Sequence, residues 1–145
     1  MEKNNPTGTG SLVLNPRNNS TTGEKAVSLG YSNLVSGMYS VGLGHSNDVI
    51  NRCNSAIGQA NKVSAGNNIW LTSEGGAGGV CTAIGSSNII QNGLTADEQP
   101  LYTSYSCAIG SQNVISSSYA VALGYKNQIL PDVNKSFVGT VAMGY

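Results

Sequence analysis

A short motif recurs six times along this chain, and this repetition constrains the fold more than any other feature. Each copy has a glycine that follows a small residue and then Leu or Ile; an asparagine lies three positions after the glycine, and Val or Ile lies five positions after it. The glycines are Gly30, Gly44, Gly58, Gly85, Gly110 and Gly124. The asparagines are Asn33, Asn47, Asn61, Asn88, Asn113 and Asn127. Self-similarity at a short, fixed period is the sequence signature of stacked-repeat architectures.

The spacing of the glycines suggests a unit of about 14 residues. Three intervals have that length, whereas the intervals from Gly58 to Gly85 and from Gly85 to Gly110 are longer. The long intervals contain either insertions or one irregular coil, and we place inserts near residues 66–79 and 94–104. At the N-terminal end, Leu14 to Asn18 aligns with Leu29 to Asn33 as a degenerate first coil. We therefore assign residues 11–145 to the repeat region and residues 1–10 to a flexible N-terminal arm, which is either a docking segment or a tail without a role.

Apolar and small residues alternate just before each glycine, as in Val27-Ser28-Leu29 and Val121-Ala122-Leu123. Alternation with a period of two is typical of β-strands. The glycine suits a turn that needs a positive φ, and a second short strand would carry the β-branched residue. Coils built from strand, turn, strand and turn can stack with their strands in parallel. We therefore predict an all-β chain folded as a parallel β-roll.

The asparagine column has two explanations. Asn tolerates turn conformations, so each copy could serve only its own turn. Alternatively, the amide both donates and accepts, so asparagines stacked at the coil spacing could form a hydrogen-bonded ladder along the roll. We favour the ladder, because Ser, Asp or Gly would suit an isolated turn equally well and none occurs at these six positions.

Composition disfavours several functional classes. The formal net charge is zero, with seven basic and seven acidic residues spread along the chain, so we expect no nucleic-acid binding. No apolar run is long enough to span a bilayer, so we expect no membrane insertion, and the first residues lack a signal-peptide pattern. The three cysteines lack metal-type spacing and are interpreted as reduced, packed thiols.

Catalytic and cofactor signals are weak. The Gly-rich run at 75–79 lacks the Gly-Lys-Ser/Thr ending of a phosphate-binding loop. His45, the only histidine, follows a motif glycine in a column that we expect to face solvent. Asp48, Asp97, Glu98 and Asp132 form no pair at a repeat-related spacing, which disfavours a polysaccharide-cleaving β-solenoid enzyme. We expect no enzyme activity, no metal and no cofactor.

Binding candidates lie in the inserts and in one further column. Trp70, in the first insert, is either a contact hot spot or local padding of the roll, and Tyr102, in the second, is a second candidate. Five positions before the glycines stands a largely apolar column, which we predict to be buried in the roll or at a chain–chain contact. The alternative is a solvent-facing tyrosine stripe that binds a ligand. The column consists of Lys25, Tyr39, Cys53, Val80, Tyr105 and Tyr119.

The runs from Ala26 to Asn33 and from Tyr119 to Asn127 resemble the head repeat of trimeric autotransporter adhesins, the YadA-like head. The resemblance covers roughly residues 10–145, apart from the two inserts. It implies a left-handed parallel β-roll in which three chains pack around a common axis. The position five residues after the glycine departs from the pattern, because it is often alanine in that family and is Val or Ile here.

Similar repeats also occur in phage fibres and virion appendages, which need neither a secretion signal nor a membrane anchor. We therefore expect a homotrimeric, non-enzymatic rod that acts as a phage head fibre, capsid decoration or tail-fibre element. Its partners would be other virion proteins and a host-surface glycan or protein. The alternative is the head fragment of a bacterial adhesin at the cell surface.

Overall fold

The computed structural model describes residues 5–17, 19–66, 80–94, 98, 100–131 and 139–145. Every regular element in these ranges is a β-strand, and they contain no helix with the length and apolar character needed to cross a membrane. In chain order the strands are β1 (Asn5–Pro6), β2 (Leu12–Arg17), β3 (Ser20–Thr21), β4 (Val27–Tyr31), β5 (Leu34–Val35), β6 (Val41–His45), β7 (Asp48–Val49), β8 (Ser55–Gln59), β9 (Lys62–Ser64), β10 (Thr82–Ser86), β11 (Ile89–Gln91), β12 (Gly93–Leu94), β13 (Pro100–Leu101), β14 (Cys107–Ser111), β15 (Val114–Ile115), β16 (Ala120–Tyr125), β17 (Gln128–Ile129) and β18 (Thr140–Gly144).

Two eight-stranded parallel sheets contain almost all of these strands. The long-strand sheet has the order β18-β16-β14-β10-β8-β6-β4-β2, and the short-strand sheet has the order β1-β3-β5-β7-β9-β11-β15-β17. The chain therefore alternates between the sheets as it advances along the roll. β12 and β13 form a separate antiparallel pair within the second insert. The prediction of an all-β chain with stacked parallel strands is confirmed, and the structure shows that these strands form two sheets.

Equivalent residues of successive motifs pair directly with one another. Gly30 pairs with Gly44, and Gly44 pairs with Gly58. Gly58 then pairs with Gly85, which pairs with Gly110. Because no strand lies between these partners, both long intervals are insertions between neighbouring strands and not additional coils.

The start of the roll differs from the prediction in two ways. Residues 5–10 are not a separate arm, because β1 pairs with β3 and the Lys25 N–H donates to the Thr9 carbonyl at 2.9 Å. The alignment of Asn18 with Asn33 is also wrong by one residue. Leu14 pairs with Leu29 as expected, but a register shift follows, and Asn19 is the residue whose Oδ1 accepts the Asn33 N–H at 2.8 Å. A β-bulge absorbs one extra residue in this way.

The core is thin and lies between the two sheets. The long-strand sheet turns small residues inward, and the short-strand sheet turns β-branched residues inward. The Cα of Gly42, for example, faces methyl groups of Val35 and Val49. The buried small residues are Ser28, Gly42, Ala56, Ala83, Ala108 and Ala122. The buried β-branched residues are Thr21, Val35, Val49, Val63, Ile90, Ile115 and Ile129.

The motif glycine allows the coils to stack closely. Gly58 has a φ of 115°, and a Cβ at this position would overlap the carbonyl oxygen of Gly85 in the next coil. Both the backbone conformation and the close approach exclude an L side chain. The remaining motif glycines meet the carbonyl of the next coil in the same way.

We expect Gly58→Ala to destabilise the fold by about 3 kcal/mol or more, because the methyl group must displace the neighbouring backbone. Gly139→Ala is the matched control, since an added Cβ there would meet only the Tyr119 carbonyl oxygen at 3.8 Å. The control should change stability by less than about 0.5 kcal/mol. Urea denaturation measures both values, and equal stability of the two variants would contradict the stacking argument.

Candidate functional site

The six predicted asparagines lie in one file with Asn19 at its start. At each step the backbone N–H and the Nδ2 of one asparagine both donate to the Oδ1 of the asparagine before it. The donor–acceptor distances are 2.8–3.2 Å. All members except Asn127 are buried. The file is therefore a continuous buried ladder, which we call the asparagine ladder.

Asn47 shows why the amide is required. Its Nδ2 lies within 3.0 Å of three acceptors, namely Oδ1 of Asn33 and the carbonyls of Leu43 and Gly58. Its Oδ1 accepts the N–H and Nδ2 of Asn61 at 3.1 and 3.0 Å. Aspartate lacks the donor, and serine cannot donate and accept at so many points.

Replacing Asn47 with Ala should destabilise the protein by about 2–4 kcal/mol, because the buried Asn61 N–H and two carbonyls lose a partner. Asn127→Ala provides the control at the partly exposed end of the ladder, where we expect a cost of about 1 kcal/mol. Thermal or chemical unfolding measures the loss of stability in each of the two variants. Similar costs at both positions would mean that each asparagine serves only its own turn.

A second polar column lies four positions before the glycines and was missed. The Asn54 N–H donates to Ser40 Oγ at 3.0 Å, and the Cys81 N–H donates to Asn54 Oδ1 at 3.2 Å. The Ala120 N–H donates to Ser106 Oγ at 3.2 Å. Four residue types fill this column, so it gives no repeat signal in the sequence.

The roots of the two inserts are tied together by Asn92. Its Oδ1 accepts the N–H of Gly66 at 2.8 Å and that of Thr103 at 3.0 Å, while its Nδ2 donates to the Gly66 carbonyl at 3.0 Å. Gly66 begins the first insert and Thr103 closes the second. Trp70 lies outside the described residues. Tyr102 is exposed, and its carbonyl accepts the hydroxyl of Ser118 at 3.0 Å.

The column five positions before the glycines is not buried in the roll, which corrects one arm of the prediction. Lys25, Tyr39, Tyr105 and Tyr119 are exposed, and Cys53 is half-buried. These five residues have left-handed φ values of 51–61°, which turn their side chains away from the core at a corner between the sheets.

The cysteines are all free, and Cys81 is buried in the second polar column. Burial raises the pKa of its thiol from 9.0 to about 11. Burial also raises the pKa of Cys107. These thiols therefore stay protonated and weakly nucleophilic near neutral pH.

The raised pKa of Cys81 predicts a pH dependence. Because the thiol ionises more readily in the unfolded chain, stability is fully present below about pH 9 and falls as the pH rises toward 11. Between pH 8 and 10 the loss should be about 1 kcal/mol greater in the native sequence than in Cys81→Ala, a change to the residue found at the equivalent positions 26 and 120. Denaturation at each pH measures the difference. An identical pH profile in the two proteins would refute this assignment.

Apolar side chains also form a continuous column on the outer face of the long-strand sheet. Each lies one position before a glycine or its equivalent and pairs with its counterpart in the neighbouring strand. None is buried. We call this column the apolar ridge. It consists of Leu14, Leu29, Leu43, Ile57, Ile84, Ile109, Leu123 and Met143.

The described residues were also searched for side chains that could bind a metal ion or take part in a reaction. Among the described residues, no three His, Cys, Asp or Glu side chains lie close enough together to hold a metal ion. His45 is exposed and stacks on Tyr31, with ring centroids 5.0 Å apart.

Comparison of the chain with protein-family models, with curated proteins and with solved structures finds no match.

Proposed function

We propose that the protein is a structural and adhesive rod in which three copies pack side by side through the apolar ridge. The ridge is the observation on which this proposal chiefly rests. It extends from β2 to β18 and places a Leu, Ile or Met side chain at every strand of the long-strand sheet. A continuous apolar surface of this length is typical of an interaction face.

The thin core supports the same proposal. Most inward-facing residues of the long-strand sheet are Ala, Ser or Gly, so a single roll buries few large side chains. Association through the ridge would add the apolar burial that such a slender domain needs. A threefold arrangement brings equivalent strands of all copies to the same height around one axis. The resemblance to YadA-like heads favours this symmetry, together with left-handed coils of about 14 residues.

In this proposal the rod belongs to a phage virion, as a head fibre, capsid decoration or tail-fibre element that contacts other virion proteins and a host surface. The alternative is the head region of a bacterial trimeric adhesin. Neither role requires catalysis or a cofactor. An antibody raised against the chain should label purified virions in electron micrographs. Labelling confined to the bacterial surface would favour the adhesin instead.

Light scattering should give about three times the 14.9 kDa mass of one chain. Replacing Ile84, in the middle of the ridge, with Lys should shift the protein toward monomers, because the ammonium group would be buried at the contact. Leu34→Lys is the matched control: Leu34 is 41% exposed and Ile84 is 37% exposed, but Leu34 lies on the outer face of the short-strand sheet. A monomeric native protein, or equal effects of the two substitutions, would refute assembly through the ridge.

A further inference from the structure

We infer that the copies of the proposed trimer pack in parallel and in register, with one flank of the apolar ridge in each copy facing the opposite flank in its neighbour. This inference rests on the proposed function and names the residues that each copy presents to the next. Three positions before the motif glycines lies the leading column, which consists of Val27, Val41, Ser55, Thr82, Cys107, Val121 and Val141. One position after them lies the trailing column, which consists of Tyr31, His45, Gln59, Ser86, Ser111, Tyr125 and Tyr145.

Both columns border the apolar ridge on the long-strand sheet. Strand pairing keeps each column in line, since Thr82 pairs with Cys107 and Ser86 pairs with Ser111. Successive side chains of a strand alternate between its faces, so the leading column lies on the same side as the ridge, opposite the inward-facing small residues. No member of either column is buried. The strand β2 is left out of both columns because a register shift interrupts it.

The two columns change character together along the roll. In β4, β6, β16 and β18 a valine of the leading column accompanies an aromatic ring of the trailing column, in the pairs Val27 and Tyr31, Val41 and His45, Val121 and Tyr125, and Val141 and Tyr145. In β8, β10 and β14 both positions are occupied by smaller or polar side chains, in the pairs Ser55 and Gln59, Thr82 and Ser86, and Cys107 and Ser111. Both flanks of the ridge are therefore apolar and aromatic toward the ends of the roll and more polar in the middle.

Contacts within one chain do not explain this match. The two columns are four residues apart in each strand, which separates their Cα atoms by about 13 Å, with the ridge between them. The aromatic rings instead contact members of their own column. Tyr31 and His45 stack with centroids 5.0 Å apart, and the centroids of Tyr125 and Tyr145 are 5.4 Å apart. A match between columns that the ridge separates within a chain indicates a contact between chains.

Rotation about an axis along the roll supplies that contact. When the ridges of all copies face this axis, the leading column of one copy lies beside the trailing column of its neighbour, and equivalent residues lie at the same height. Val41 then packs against the His45 ring of the next copy, and Cys107 lies beside Ser111 of the next copy. Packing in opposite directions would place each column against itself, which requires no match between the two columns.

The polar middle of the surface fixes the register. Valine against an aromatic ring buries apolar area on both sides of the contact. The hydroxyl and amide groups of Ser55 and Gln59 can bond each other across the contact. An axial shift by two coils would place such groups against valine or an aromatic ring, where they lose their partners. The aligned arrangement is therefore the one in which both kinds of side chain find a match.

A single substitution tests this pairing, because Cys107 already occupies the leading column. Ser111→Cys places a thiol in the trailing column at the same height. The two thiols of one chain cannot bond each other, because their Cα atoms are about 13 Å apart and a disulfide requires about 7 Å or less. The full chain is incubated with oxidised glutathione, which accepts the hydrogens of two thiols and is released as two glutathione molecules while one protein disulfide forms.

We expect a cross-linked product on a non-reducing gel at three times the 14.9 kDa chain mass, which a reducing agent returns to single chains. Gln59→Cys is the matched control. It lies in the same column but two strands away, about 10 Å from the height of Cys107. Ser111→Cys should give at least about tenfold more cross-linked chain than this control or than Ser111→Cys combined with Cys107→Ala. Adding Ser55→Cys to Gln59→Cys should restore the cross-link, because it supplies the missing partner at that height.

Equal cross-linking in Gln59→Cys, or a product that survives Cys107→Ala, would overturn the in-register pairing. Light scattering of the same proteins under reducing conditions separates this result from the proposed function. A trimer in which neither Ser111→Cys nor the Ser55→Cys and Gln59→Cys pair cross-links refutes only the pairing of the two columns, whereas a monomeric native protein refutes the rod. A product that stops at twice the chain mass refutes the threefold arrangement.

Discussion

The structure depends on placing each residue directly over its counterpart in the next coil, and the asparagine ladder is the interaction that enforces this. Between the two ends of the ladder, each amide accepts two hydrogen bonds from the next asparagine and donates to its predecessor and to two carbonyls. A slip of one residue would leave a buried amide and a buried backbone N–H without partners, which is costly in a dry interior. The glycines then permit the close approach that this geometry demands. Register is thereby fixed by polar groups in a fold whose apolar core is too thin to fix it alone.

Because the core is thin, it also determines which side chains lie on the surface. Small residues face inward on the long-strand sheet, so its large apolar side chains lie outside, on the apolar ridge. In a typical globular domain the large apolar side chains face inward and smaller or polar side chains lie on the surface. The inversion makes sense if the chain completes its hydrophobic core only by association. The corner column places further polar and aromatic side chains along a different line of the surface.

The sequence predicts the parts of this structure in which one residue type has the same role in every coil. Gly and Asn recur because no other side chain meets the close approach or the ladder, so the parallel stacking and the asparagine file follow from spacing. The second polar column could not be predicted, because Ser40, Asn54 and Ser106 support similar backbone bonds with different side chains. The alternation in Val27-Ser28-Leu29 identifies a strand but not its inner face. The exposure of Tyr39, Tyr105 and Tyr119 was predicted only as the alternative to burial, because a bulky residue in the sequence does not reveal a left-handed φ.

Gly58 pairs directly with Gly85, although the first insert lies between them in the chain. The intervening chain, of whatever length, leaves the pitch of the stack unchanged, because the strands on either side bond as immediate neighbours. Each doubling of such an excursion costs only about 0.6 kcal/mol in closure entropy. The insert can therefore vary while the stacked strands of the roll stay the same. Changes in the length or sequence of this insert are therefore expected to leave the pairing of the flanking coils unaltered.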